Sequence, residues 1–452
     1  MKIEELIKLK NKKIAILGYW KEGKSSLDFL LKLWINNITI LDENENIIKK
    51  EGIKYVLWKK YIDNLPEYAL IFKSPWISPY NDKINPFLLK ITSQTQIFFD
   101  NYKWKIIWIT WTKWKSTTST LTYKTLKVIW YNTKLVWNIW NPVLEEVDII
   151  NNELFDFVIF EMSSYMLEWL RCKLYIWVIN NIYNCHINWH NWKKNYINAK
   201  IWILKESENK LANYELINEL DNFKKITYFW ENWDFYYKKW LFYKYKQSIL
   251  EDENIALQWE HNRKNICVVL WILNIIDTNN FNKNLSKLKK VLISFTWLSH
   301  RLENIWIYNW ITFIDDAIAT TPESTIAAIK TYEQNIWTIL LWWEDSDFNF
   351  EKLKNILEKY NISNIVLFPD TWEKIFWDLS KYNYESEFML DLWTYKPNIL
   401  KTKSMKNAVN FAYKNTPKWK ICILSNAAPS FSLWSWYIEK WLDFQKEVKN
   451  FT

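Results

Sequence analysis

Glycine is almost missing. The 452-residue chain contains 3, where an average composition would supply about 30. Turns, helix ends and phosphate loops need residues that accept positive φ, so the letters as written exclude ordinary turn chemistry. Arginine is as scarce: Arg171, Arg263 and Arg301 are the only ones. The net charge of +9 is therefore carried by lysine. Heavy use of Lys, Asn and Ile reads as an AT-rich genome, so the basic balance is weak ground for a nucleic-acid partner and would suit phosphate-bearing small substrates equally. Four cysteines (Cys172, Cys185, Cys267 and Cys422) are scattered without CxxC spacing. That excludes a disulfide mini-scaffold and reads as reduced thiols in a cytoplasmic protein. No apolar run approaches the ~18 residues of a membrane helix, and Met1 to Lys13 lacks the apolar core of a signal peptide. With 49% apolar and 24% charged residues, a disordered chain or a collagen-like fibre is excluded as well. The length leaves room for two to four domains.

What is abundant is tryptophan, at 34 residues. Added to the glycines, these make an ordinary glycine share. They also sit where glycine belongs. Asn309-Trp310 separates two alternating runs, where a two-residue type I′ turn wants Asn-Gly. Lys239-Trp240 splits the aromatic run Phe235 to Tyr245 in the same way. Trp34 and Trp130 each follow an amphipathic helical stretch, at the C′ position where glycine ends helices in the left-handed region. A bulky residue does these jobs only under strain. UGA is a stop codon in the standard code, Trp in one variant code and Gly in another. The reading adopted is that most Trp letters occupy glycine positions through UGA decoding.

Strand–helix alternation runs through the chain and predicts an α/β protein with parallel sheets. The first segment reads as strand 13–18, helix 21–33, strand 38–42 and strand 69–73. The second opens with strand 105–110 and helix 115–128, continues through strand 157–161 and helix 193–205, and closes with helix 260–275. The third begins with the 305–314 hairpin and alternates to a final helix. The expected fold has three domains: a Rossmann-like substrate domain over 1–96, a central P-loop ATPase-type domain over 97–297 and a Rossmann-like C-terminal domain over 298–452.

Residues 106–120 read IIWITWTKWKSTTST. With glycine at Trp108, Trp111 and Trp114 they become IIGITGTKGKSTTST, a strand running into a Gly-rich loop and then a helix that opens on Lys-Ser. Backbone N–H groups can wrap phosphates only where no side chain fills the loop. Lys115 would neutralise the β/γ-phosphates, and the Ser116 or Thr117 hydroxyl would meet Mg²⁺. The spacing is a variant of G-x-x-x-x-G-K-[ST], because Ile109 takes the place of its first glycine.

This variant loop resembles that of the Mur ligase family, ATP-dependent enzymes that build the peptide of bacterial cell-wall precursors. Further segments, in family order, resemble its D-glutamate-adding members. Glu161 to Glu168 looks like E-x-S-S-[FY]-x-L-E, and Asn181 to Lys200 like N-x-x-x-D-H-x-D…Y-x-x-A-K. His261-Asn262 with Asn265 looks like H-N-x-x-N. His300 to Glu303, Asp316 to Thr325 and Ser425 to Phe431 look like third-domain segments. The resemblance implies formation of an acyl phosphate by attack of a substrate carboxylate on the ATP γ-phosphate, then displacement of phosphate by the incoming amine. Implied substrates are UDP-N-acetylmuramoyl-L-alanine and D-glutamate, handled by a monomer with no nucleic-acid or membrane partner.

The resemblance also assigns roles. Lys115, Lys200 and His186 are catalytic, with Lys200 carried as a carbamate. Two Mg²⁺ ions are held by Ser116 and Glu161 and by His186. ATP is held by Trp111, Thr112, Trp114, Lys115, Ser116, Thr117, Asn262, Asn265, Arg301 and Asp316. The substrates meet Asp42, Asn138, Ser163, Thr320, Ser430, Phe431 and Tyr437. From the residues themselves, Gly18-Tyr19-Trp20-Lys21-Glu22-Gly23 follows a strand as G-x-G-x-x-G would, and Asp42 ends the next strand, facing sugar hydroxyls.

Several positions depart from the family pattern. Cys185 and Asn188 replace two acids beside His186. Ile318 replaces a lysine, Asn426 a proline and Ser346 a basic residue. Most of these touch the amino-acid side of the site. A ligase for another amino acid, a folylpolyglutamate-type ligase, a non-catalytic relative and an aromatic-rich nucleic-acid binder are the rival readings.

Overall fold

The computed structural model describes the chain except residues 111–114, 137–141, 147–153, 169, 183–186, 231–232, 258–259, 296–300, 343–349, 369–396, 429–433, 435–436 and 451–452, and except the side chains of 187, 188, 437 and 438. It divides into two compact units, Met1–Phe295 and Thr296–Thr452.

The first unit holds two sheets. One has strands β1 (Ile14–Leu17), β2 (Ile38–Asp42), β3 (Lys54–Leu57), β4 (Leu70–Lys73) and β5 (Ile91–Thr92), all parallel, in the order β3-β2-β1-β4-β5. The strand order reverses between β1 and β4, the kind of point at which open parallel sheets bind ligands beyond the strand C-termini. The other has nine strands: β6 (Lys105–Thr110), β7 (Thr133–Val136), β8 (Phe157–Glu161), β9 (Leu174–Ile179), β10 (Ser207–Asn213), β11 (Thr227–Phe229), β12 (Phe235–Lys238), β13 (Leu241–Lys244) and β14 (Gln247–Glu251). Their order is β14-β13-β12-β11-β10-β9-β6-β8-β7. The parallel strands β6, β8 and β9 are buried along nearly their whole length, as strands covered on both faces must be. One apolar cluster runs through both sheets, from Leu6 and Ile16 to Phe98, Ile106, Phe160 and Leu204.

The second unit has β15 (Glu303–Tyr308), β16 (Ile311–Asp316), β17 (Ile336–Leu341), β18 (Asn364–Leu367), β19 (Asn398–Lys401) and β20 (Ile421–Ser425), ordered β15-β16-β20-β17-β18-β19. Only the β15–β16 hairpin is antiparallel.

Four sequence expectations about tryptophan meet the backbone directly. Asn309 and Trp310 both have positive φ (52° and 65°), as do Lys239 and Trp240 (48° and 66°). Each pair links two antiparallel strands, as a type I′ turn does. Trp34 has φ 59° and Trp130 has φ 77°. At each, two hydrogen bonds close a Schellman motif: Trp34 N to Leu31 O and Ile35 N to Leu30 O, then Trp130 N to Lys127 O and Tyr131 N to Leu126 O. Asn361 closes the helix Glu351–Lys359 identically, with φ 51°, using a residue that tolerates that region. Trp34 and Trp130 are 82% and 86% exposed, so their indoles gain little packing to offset the backbone strain. Trp34→Gly is therefore expected to raise stability by about 1 kcal/mol, the left-handed penalty less the entropy of glycine. Urea midpoints of the two chains measure it.

Boundaries differ from the sequence expectation in a few places. The helix read as 193–205 is α-helical over Lys193–Ile201 and tightens into a 3₁₀ turn over Trp202–Glu206. Strands β3, β5, β7, β9 to β11, β14 and β19 and the helices Gln94–Asn101 and Phe281–Ile293 were not separately foreseen. β10, Ser-Glu-Asn-Lys-Leu-Ala-Asn, carries no apolar alternation to mark it.

Candidate active site

In open parallel sheets, ligands gather beyond the C-terminal ends of the strands. Of the residues foreseen for phosphate and metal, Lys115, Ser116, Thr117, Glu161 and Lys200 lie at that end of the nine-stranded sheet. β6 ends at Thr110, and the helix Lys115–Val128 opens on Lys115, Ser116 and Thr117, with the two hydroxyl residues buried. β8 ends at Glu161, which is 1% exposed, and Ile109 pairs with Glu161 across the ladder. The buried Lys200 directs its ammonium at the Thr110 hydroxyl, 3.4 Å away. Tyr196, one turn earlier on the same helix, lies 5.1 Å from that ammonium. Lys115, Ser116, Glu161 and Lys200 thus gather at one end of the β6–β8 pair.

This donor set fits a nucleotide triphosphate with Mg²⁺. A helix N-terminus and a lysine favour phosphate oxygens, and a hydroxyl with a carboxylate supplies the hard oxygen ligands that Mg²⁺ takes. Among the described residues, no three His, Cys, Asp or Glu side chains cluster as a metal cage. Mg²⁺ sites built on one or two carboxylates plus substrate phosphates do not need one.

Other foreseen residues are placed as follows. Asn262 and Asn265 are buried on the helix Glu260–Ile276, with Asn265 Nδ2 donating to Asn262 Oδ1 at 3.2 Å. Asp42, at the end of β2, accepts from Tyr19 N at 2.5 Å and Asn44 N at 2.8 Å. Ser163 precedes the short helix Ser164–Leu167 at its N-cap position, with no capping hydrogen bond from its side chain to the helix. Trp20 and Trp76 approach edge to face at 6.0 Å. Gly23 is forced by close approach: a Cβ there would meet Gly18 O at 2.1 Å. In the second unit, Asp316 ends β16. Burial pushes its carboxyl up to about 7, against the Ser425 hydroxyl and Arg301 guanidinium, which favour the charged form. Ser425 Oγ donates to Asp316 Oδ2 at 2.8 Å. Thr320 lies in the turn that follows β16, before the helix Pro322–Tyr332. Trp111, Thr112, Trp114, Asn138, His186, Ser430 and Phe431 lie outside the described residues, as does the Tyr437 side chain.

The sequence pattern of the Mur ligase middle domain matches residues 109–279, the segment that carries this cluster. Full-length relatives match as well. The chain is 27% identical to the UDP-N-acetylmuramoylalanine–D-glutamate ligase of Clostridium tetani, with 97% of each chain covered. It is 28% identical to that of Clostridium kluyveri, over 94% of each. Along nearly its whole length the chain is similar to members of the Mur ligase family. The Mur ligase fold is visible too: the UDP-N-acetylmuramate–alanine ligase structure from Thermotoga maritima superposes with a TM-score of 0.61 at 15% identity, covering 98% of this chain and all of that one. As Mur ligase members are, this protein is a multi-domain α/β protein. Among its described residues no helix is long and apolar enough to cross a membrane.

Sequence reasoning assigned no role to four residues near the cluster: Lys73, Tyr80, Glu168 and His190. Glu168 was inside a recognised motif, but its partners lie up to 88 residues away in sequence.

Proposed function

We propose that the chain is an ATP-dependent, ADP-forming ligase that adds D-glutamate to UDP-N-acetylmuramoyl-L-alanine in peptidoglycan precursor synthesis. The observation that carries this reading is the convergence of Lys115, Ser116, Glu161 and Lys200 at the C-terminal ends of β6 and β8. The substrate carboxylate attacks the ATP γ-phosphorus, giving an acyl phosphate and ADP. The amine of the amino acid then attacks the acyl carbon, phosphate leaves, and an amide forms. Both steps need positioning and charge neutralisation more than covalent help. Lys115 neutralises phosphate charge, Asn262, Asn265, Arg301 and Asp316 orient the nucleotide, and Ser116, Glu161 and His186 would hold Mg²⁺. The metal, when bound, withdraws charge from the transferring phosphoryl group. The family resemblance assigns the sugar nucleotide to Asp42, Asn138 and Ser163, and the amino acid to Thr320, Ser430, Phe431 and Tyr437.

The three-domain division at 96/97 and 297/298, with Rossmann-like first and third domains, belongs to this proposal, as do a monomeric state and a cytoplasmic location. So does a carbamate on Lys200. Formed from the neutral amine and CO₂ with loss of a proton, a carbamate on Lys200 would exchange a cation for oxygens of the hard kind that Mg²⁺ takes. Lys200→Ala is expected to lose about 10²–10³-fold in kcat, and acetate at high concentration is expected to restore part of it. A variant indifferent to acetate, in a parent enzyme indifferent to bicarbonate, removes Lys200 from the site.

A further inference from the structure

The loop after β4 is fastened to the segment that leads into the Lys200 helix, and one carboxylate makes the fastening. Tyr80 donates its hydroxyl to Glu168 Oε1 at 2.6 Å. His190 Nδ1 meets Glu168 Oε2 at 3.1 Å. The His190 side chain is fully buried and Glu168 is 9% exposed. On the far side, the His190 ring packs at 5.4 Å against Tyr196, the ring that faces Lys200. Asn195, beside it, donates to His190 O at 2.9 Å. The loop has two more ties. Ser78 Oγ donates to Trp189 O at 2.7 Å. Lys73 Nζ donates to Ser74 O and Ile77 O at 3.0 and 2.8 Å. Its ammonium also faces the carboxylates of Glu22 and Glu168. None of these contacts uses an indole, so they stand whether residues 76 and 189 are tryptophan or glycine.

We propose that Glu168 is a positioning residue: it clamps the 74–80 loop, through Tyr80, to the helix bearing Lys200, through His190 and Tyr196. The loop leaves the C-terminal end of β4 at the strand-order reversal, where ligands gather in such sheets, so a sugar nucleotide seated there and Lys200 are held in fixed relation. A carboxylate suits this task because its two oxygens accept independently from two directions. The inference rests on the ligase reading for what the loop faces, but the clamp itself does not.

Two arms test it on the native chain. Tyr80→Phe removes one hydroxyl and is expected to raise KM for UDP-N-acetylmuramoyl-L-alanine about tenfold, the loss of one hydrogen bond to a charged acceptor. KM for ATP is expected to stay within about twofold, since Tyr80 lies on the loop after β4 and not on the helix that opens on Lys115 and Ser116. Glu168→Gln, which keeps one acceptor, is expected to lie between the parent and Glu168→Ala. In the second arm, Glu168→Ala is expected to speed amide exchange in 74–80 and 187–201 together. Equal changes in both KM values, or faster exchange in only one segment, overturns the clamp. If the parent forms no ADP with any sugar nucleotide, the ligase reading fails, and the exchange arm alone decides the clamp.

Discussion

Replacing Lys115 with alanine is expected to cut ADP formation at least ~10³-fold while leaving the fold intact. Lys115 is the first residue of the helix Lys115–Val128. Alanine is the best helix former, so the backbone N–H groups of the first turn keep their direction. What disappears is one ammonium at the opening of the helix that follows β6, where β/γ-phosphate charge would accumulate. Lys115→Arg is not expected to rescue activity, because a planar fork does not reproduce a compact point charge in a site built for backbone donors. The measurement is ADP release with saturating sugar nucleotide and amino acid, beside a thermal melt of each variant. Unchanged turnover in Lys115→Ala would separate the loop from the chemistry and return the chain to the non-catalytic reading.

Much of this arrangement was legible in the sequence. Continuous apolar runs marked β6 and β8, alternating runs marked β15 and β16, and the turn dipeptides between paired strands marked two hairpins. Those signals are local: an apolar period, or a residue pair that needs positive φ. Lys115 and Glu161 were legible because their loop and strand end carry chemistry in a short window. The Glu168 clamp was not, because Tyr80 and Glu168 are 88 residues apart and meet only when the two sheets pack. β10 was missed for a different reason. Its first four residues are polar, and the apolar Leu211 and Ala212 come only near its end. Lys440 shows the same limit in the second unit. It sits on the last helix, yet it is 1% exposed and donates to Ala317 O at 3.2 Å, a contact that no helical period encodes.

Peptides spanning residues 104–124 of the native protein are expected to carry glycine mass at 108, 111 and 114. Each exchange removes the mass of an indolylmethyl group. The argument rests on the described residues. Seven tryptophans adopt positive φ: Trp34, Trp58, Trp130, Trp230, Trp240, Trp310 and Trp419. At roughly 1–2 kcal/mol each for an L-residue with a bulky Cβ, their summed strain rivals the whole stability of a domain. The core makes the same point. Trp108 and Trp177 are direct partners on β6 and β9, both fully buried, and their ring centroids are 6.2 Å apart. The indole N–H groups of Trp108, Trp177 and Trp342 find no acceptor among the described residues. A buried donor without a partner costs about 1–3 kcal/mol. Glycine removes both penalties and opens the loop to phosphate. A second readout needs no digestion: the purified native chain is expected to fluoresce as a tyrosine protein, with only the few genuine indoles contributing. Tryptophan masses at 111 and 114 would place two indoles where phosphates must lie, and a chain so built is expected to bind no ATP at all.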